Sequence, residues 1–173
     1  MQCLVEFGYA GTTMARVQAR AGVSRGTLTH HFTSMQQLLV AAVQHIAVGQ
    51  LTEMEELLSQ RQGAGDTGDL IALLHRFMSG PMFLAGLELW VAARTDAGLR
   101  EALVPAERAF GRALRTTLRA TPAQSPAIDR YDLEALLALL RGLAITGVLR
   151  TDPDMQERVL QRWATTLPTS ARR

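Results

Sequence analysis

Apolar residues recur three and four positions apart over most of the chain, with polar residues filling the intervals. Runs of β-branched residues alternating at period two are missing, so the pattern predicts helices and gives strands little support. With 173 residues, 47% of them hydrophobic, the chain can bury a real core. The expected fold is all α.

The pattern is most specific near the N-terminus. Thr12 and Thr13 follow Gly8 and Gly11 and can cap a helix whose apolar positions are Met14, Val17 and Ala21. Gly22 comes directly after the last periodic residue and can take the left-handed conformation that stops a helix. Val23 plugs the corner, and Ser24 is a good N-cap for a second helix running to about His31. On that helix Leu28 and Phe32 face inward, whereas Arg25, Thr27, Thr29 and His30 face outward. Two short helices at a sharp turn, the second with a donor-rich outer face, are suited to the major groove of DNA. Arginine bonds guanine edges there, and hydroxyls and methyls meet other bases. Gly26 has no side chain to hold the backbone away from the duplex.

Further helices are predicted over 35–58, capped by Ser34, then over 69–79, from Gly80-Pro81 to about 96–98, and over 99–119, 129–149 and 152–167. The first of these carries an inward stripe of Leu38, Leu39, Ala42, Val43, Ile46 and Leu51. Residues 61–68 and 121–126 read as loops. Gly63, Gly65 and Gly68 spell GxGxxG, but a polar helix end precedes them where a dinucleotide fingerprint needs a strand. Arg108, Arg112, Arg115 and Arg119 share one helix face and read as solvated.

Charge narrows the function classes. The net charge is +2, so the chain as a whole is no polyanion binder, and a nucleic-acid role must be local. Over residues 1–48 three arginines, Arg16, Arg20 and Arg25, stand against Glu6 alone. All 18 basic residues are arginine, which suits bidentate contacts. A single cysteine, Cys3, excludes an internal disulfide framework and points to a reducing compartment. No signal peptide is visible, and the most apolar stretch, 133–149, carries Glu134 and Arg141, so no membrane span is expected and the location reads as cytoplasmic. No catalytic motif or metal-ligand set stands out. His30 and His31 are adjacent and point to different sides of a helix, and His45 and His75 are isolated. Neither enzyme activity, a metal nor a cofactor is expected.

The run FGYAGTTMARVQARAGVSRGTLTHHF resembles the DNA-binding domain of the TetR family of bacterial transcriptional regulators, with AGVSRGTL…HF the most specific part. The likeness covers residues 4–43. It implies a small helix-turn-helix DNA-binding domain, residues 1–47, and a larger helical ligand-binding and dimerisation domain, residues 48–173. The family's first helix extends well upstream, yet here only MQCLVEF precedes Gly8, so that helix reads as truncated and lacks a basic arm for the minor groove. Gln18 stands where the family usually has alanine at the helix crossing. Thr29 replaces a tyrosine that contacts phosphate, and Met35 replaces a lysine just after the recognition helix. Weaker or more salt-sensitive DNA binding is therefore expected.

Base-edge contacts are expected from Arg25, Gly26 and Thr27, and backbone or mixed contacts from Thr13, Arg16, Thr29, His30 and His31. His75, Phe77, Met78, Met82, Phe83, Leu87, Trp90 and Arg94 gather flexible and aromatic side chains with a few polar groups, as pockets between helices do; Glu88 is a further polar candidate. The helix over 129–149 is apolar nearly all round and needs cover on two sides, the second most simply from another copy of the chain. A four-helix homodimer interface is expected, with Leu136, Leu140, Leu143, Leu160 and Trp163 in it. The sequence thus reads as a ligand-responsive transcriptional regulator, a repressor released from a pseudo-palindromic double-stranded DNA operator by an apolar small-molecule effector. The alternative is a helical dimeric small-molecule-binding protein that has lost specific DNA binding.

Overall fold

Local capping chemistry cuts the chain into its elements. In the computed structural model, which describes residues 1–60, 67–120, 129–150 and 152–167, the elements are α1 (Gln2–Gly11), α2 (Met14–Ala21), α3 (Arg25–His31), α4 (Met35–Ser59), α5 (Thr67–Phe77), α6 (Pro81–Ala92), α7 (Ala97–Ala120), α8 (Arg130–Gly147) and α9 (Pro153–Ala164). No strand occurs among the described residues. Ser34 Oγ accepts from Gln37 N at 3.2 Å to start α4, Asp129 Oδ1 accepts from Tyr131 N and Asp132 N at 2.6 and 2.8 Å to start α8, and Asp152 Oδ1 accepts from Met155 N at 2.9 Å to start α9. Gly80, at φ 90°, makes the turn into Pro81, whose fixed φ suits the first position of α6.

The two threonines proposed as joint caps divide the work. Thr13 caps α2, whereas Thr12 is buried and closes α1, its hydroxyl donating to Gly8 O at 2.6 Å. α7 begins two residues before the predicted start because Asp96 Oδ1 accepts from Leu99 N at 2.8 Å. It then continues through Pro105, which has no N–H for the helical ladder.

Packing gathers the helices into two units. The first comprises residues 1–53 and 81–117, the second residues 54–80 and 118–173. The first unit's core joins Leu4 of α1, Leu39 and Val40 of α4, Ala85 and Leu89 of α6, Ala93, and Leu99, Leu103 and Ala106 of α7. Leu89 and Leu99 are fully buried, each contributing about 1.5–3 kcal/mol of apolar transfer energy. In the second unit α5 packs on α9, and Leu74, Leu136 and Leu140 are buried. No single described helix is long and apolar enough to cross a membrane. Gly63, Gly65 and the 121–126 loop lie outside the described residues, as does the side chain of Arg119. Arg108 and Arg112 are exposed, as expected of a solvated face, and Arg115 is half-buried.

Candidate nucleic-acid interface

Thr13, at extended φ/ψ, accepts from Arg16 N at 3.3 Å and sets the start of α2. Gly22 ends it in the left-handed region, φ 66° and ψ 24°, with its N–H on Gln18 O. Ser24 then accepts from Thr27 N at 3.1 Å, and its hydroxyl lies 2.9 Å from that of Thr27. Turn and cap together aim α3 outward: Leu28 is its only buried residue, and Arg25, Gly26, Thr27, Thr29, His30 and His31 are all exposed. The two histidine rings meet edge to face with centroids 5.3 Å apart, so they stand together where the sequence suggests separate sides. A Cβ on Gly26 would meet only Ser24 Oγ, at 3.7 Å, so packing within the chain does not demand glycine there.

The three arginines of this region differ in what they hold. Arg16 lies over the Phe7 ring, 4.4 Å from its centroid, and donates to Gly11 O. Arg20 pairs with Glu6. Among the described residues none bonds the Arg25 guanidinium, which leaves it as the donor fork on the outer face of α3. The Thr29 hydroxyl donates to Arg25 O at 3.0 Å and to Gly26 O at 3.3 Å within its own helix. Met35 packs against the first unit's hydrophobic core rather than standing out from it, and Gln18 is half-buried.

Behind this surface lies a polar cluster that the sequence does not announce. α1 leaves helical geometry at Gly8, φ 66° and ψ −178°, a backbone conformation open essentially only to glycine. The next amide, Tyr9 N, donates to Glu88 Oε1 on α6 at 2.6 Å. The Tyr9 hydroxyl donates to Asp96 Oδ2 at 2.6 Å, and that oxygen also accepts from Gln36 Nε2 of α4 at 3.2 Å. Burial first, and then the Asp96 carboxylate, push the Tyr9 phenol up to about 12. Asp96 is held below the ordinary carboxylate value, first by Tyr9 and then by the Leu99 amide and Gln36. Glu88 therefore spends its carboxylate on α1, where its sequence context suggests a ligand anchor.

Among the residues expected around an effector, His75, Phe77 and Met78 belong to the second unit. Met82, Phe83, Leu87, Trp90 and Arg94 belong to the first. Phe77, Met78 and Leu87 are buried, His75 and Phe83 are half-buried, and Arg94 is exposed. Met82 and Trp90 keep over a third of their surface open, and Trp90 Nε1 donates to Glu107 Oε1 at 2.8 Å. Of the residues expected at a dimer interface, Leu136, Leu140 and Leu160 are covered by the chain itself, while Leu143 and Trp163 remain partly exposed.

Comparison with known proteins accords with this geometry. The family profile described as bacterial regulatory proteins, tetR family, matches residues 1–42. The HTH-type transcriptional regulator CymR of Pseudomonas putida is 33% identical over 165 residues, 90% of this chain and 79% of CymR. The HTH-type transcriptional repressor AcnR of Corynebacterium diphtheriae is 25% identical over 163 residues, 92% of this chain and 82% of AcnR. The crystal structure of the multidrug binding protein EbrR complexed with imidazole superposes with a TM-score of 0.66 at 25% identity, covering 98% of this chain and 91% of EbrR. With its turn at Gly22, its capped outward helix α3 and a relative 33% identical over nine-tenths of this chain, the chain belongs to the TetR family of helix-turn-helix transcriptional regulators.

Proposed function

We propose that this regulator is a repressor whose α3 enters the major groove, with Arg25, Gly26 and Thr27 on base edges and Thr13, Thr29, His30 and His31 on the backbone or in mixed contacts. The observation that carries the reading is Arg25, unbonded among the described residues at the first position of an exposed, Ser24-capped helix. Arg16 joins the backbone contacts by leaving Phe7 and Gly11, an exchange of one set of partners for another. Residues 1–47 supply DNA reading, and residues 48–173 supply effector binding and pairing with a second copy. The protein acts in the cytoplasm by binding, without turning over a substrate. The names of AcnR, a repressor, and EbrR, a multidrug binding protein, support repression and a small organic effector. Open apolar surface at Met82 and Trp90 on α6 favours the same ligand class.

Pairing draws on the outer face of α8. Tyr131, Ala135, Ala138, Gly142, Ile145 and, just past the helix end, Leu149 alternate at spacings of four and three and are all exposed. That seam lets two helices approach closely, and it replaces the buried Leu136, Leu140 and Leu160 as the contact face. Two copies present two α3 helices to half-sites about one helical turn apart, hence the pseudo-palindrome. An effector that favours a conformation with another spacing lowers DNA affinity, and DNA lowers effector affinity by the same factor.

The test is selection of duplexes from a random pool by the full chain, followed by Arg25→Ala. Enrichment of an inverted repeat is expected, with the variant losing about 1–3 kcal/mol and tolerating substitutions at one position of each half-site. Recovery of no preferred sequence at low salt would instead favour a dimeric small-molecule binder without DNA specificity.

A further inference from the structure

Four helices of the first unit meet at two carboxylates. Glu88 of α6 catches the first amide after the break in α1, and Asp96, at the junction into α7, holds the Tyr9 side chain, Gln36 of α4 and the Leu99 amide that begins α7. On the other side of the Gly8 break, Glu6 pairs with Arg20 of α2, whose guanidinium also lies over the Phe7 ring, 5.9 Å from its centroid. A continuous set of directional contacts thus runs from α6 and α7 through α1 to α2, which packs on α3. Apolar packing beneath it, Leu4 among Leu89 and Leu99, is non-directional and fixes no register by itself. A side-chain oxygen accepting from a backbone amide is directional. Gly8 is what lets it form, since a Cβ there would stand 2.8 Å from Glu88 Oε1.

We propose that Glu88 and Asp96 are positioning residues for DNA reading, a clasp that locks the broken segment of α1 onto α6 and α7 and passes movement of α6 to α2 and α3, and back. The inference rests on α3 being the DNA-reading helix. Glu88 carries the stronger prediction because its partner is backbone: replacing Tyr9 does not remove the bond, whereas replacing Glu88 does.

The chain has two tryptophans, and one of them, Trp90, stands two residues after Glu88 on α6. In a Trp163→Phe background Trp90, which donates to Glu107 of α7, therefore reports how α6 sits against α7. The probe is a duplex selected by the full chain, added to saturation. Its binding is expected to change Trp90 emission, and Glu88→Ala is expected to shrink that change about fivefold or more. Glu88→Gln, whose side-chain carbonyl still accepts from Tyr9 N, is expected to restore most of it. A role confined to stability would move the melting temperature without separating Ala from Gln in the duplex-induced signal. Should Glu88→Ala fail to fold, Tyr9→Phe removes only the Asp96 bond and is expected to give a partial loss. An undiminished signal in Glu88→Ala, or in Tyr9→Phe where that variant stands in, overturns the clasp while leaving DNA reading intact. Loss in both Ala and Gln variants ascribes the effect to charge and also overturns it, as does duplex binding that never changes Trp90 in the parent. If the chain selects no duplex at all, DNA reading itself fails and the clasp falls with it.

Discussion

Tyr9 and Asp96 hold each other's titration apart, and the direction of each shift sets a pH window. Asp96 is lowered in the folded chain, so folding favours its ionised form; that stability is full above the ordinary 3.8 and is lost as pH falls through the lowered value. Tyr9 is raised, so its contribution is full below 10.0 and disappears as pH rises through about 12. Tyr9→Phe removes the largest cause of the Asp96 shift. Its melting temperature is expected to depend less on pH below about 4 than the parent's, and to lack the parent's extra loss above about pH 10, as thermal unfolding across that range would show. Thr29 now returns its hydroxyl to its own helix, so Thr29→Tyr is expected to gain about 1 kcal/mol of operator affinity. The salt dependence should stay unchanged, because a neutral donor releases no counterion. Met35→Lys would add a charge but push it against the core, so lower thermal stability is expected with it.

At the scale of elements, two glycines with the same φ do different work. Gly22 stops α2 in the left-handed region with nothing within 4 Å of where a Cβ would stand. Gly8 shares its φ of 66° but has ψ −178° and the Glu88 carboxylate against it. Gly22→Ala is expected to cost about 1 kcal/mol, the left-handed penalty alone. Gly8→Ala adds a forced displacement of Glu88 and loss of its bond to Tyr9 N, so about 2–4 kcal/mol is expected, measured by chemical denaturation of the two variants side by side. The difference also marks what the sequence can reveal. The caps at Thr13, Ser24 and Ser34 and the stop at Gly22 are legible because each closes a bond within three or four residues. Tyr9 meets Glu88 and Asp96 across 79 and 87 residues, and no local pattern encodes such a pairing. α8 is ambiguous for another reason: a helix apolar on every side does not say which side the chain keeps for itself, and Leu136 and Leu140 lie on the side the fold buries.

For the whole molecule, the division of α8 into a covered and an open side, with pairing on the open side as proposed, predicts that stability and assembly separate. Leu136→Ala, at a fully buried position, is expected to cost about 2–5 kcal/mol of folding free energy. Ala138→Glu with Ile145→Glu, on the open side, is expected to leave the melting of the monomer nearly unchanged. Sedimentation should show single chains, and operator affinity should fall about 100-fold or more as the two half-sites lose their shared carrier. One feature of the first unit makes such states observable without added labels. Cys3, the chain's single thiol, is 5% exposed on the part of α1 that precedes Gly8, one residue before the fully buried Leu4. A thiol reagent reaches it only when that segment lifts away, so the rate of its modification counts the openings of α1. A native chemical clock of this kind would read, in one residue, whether bound duplex quiets the segment and whether an altered Glu88 sets it loose.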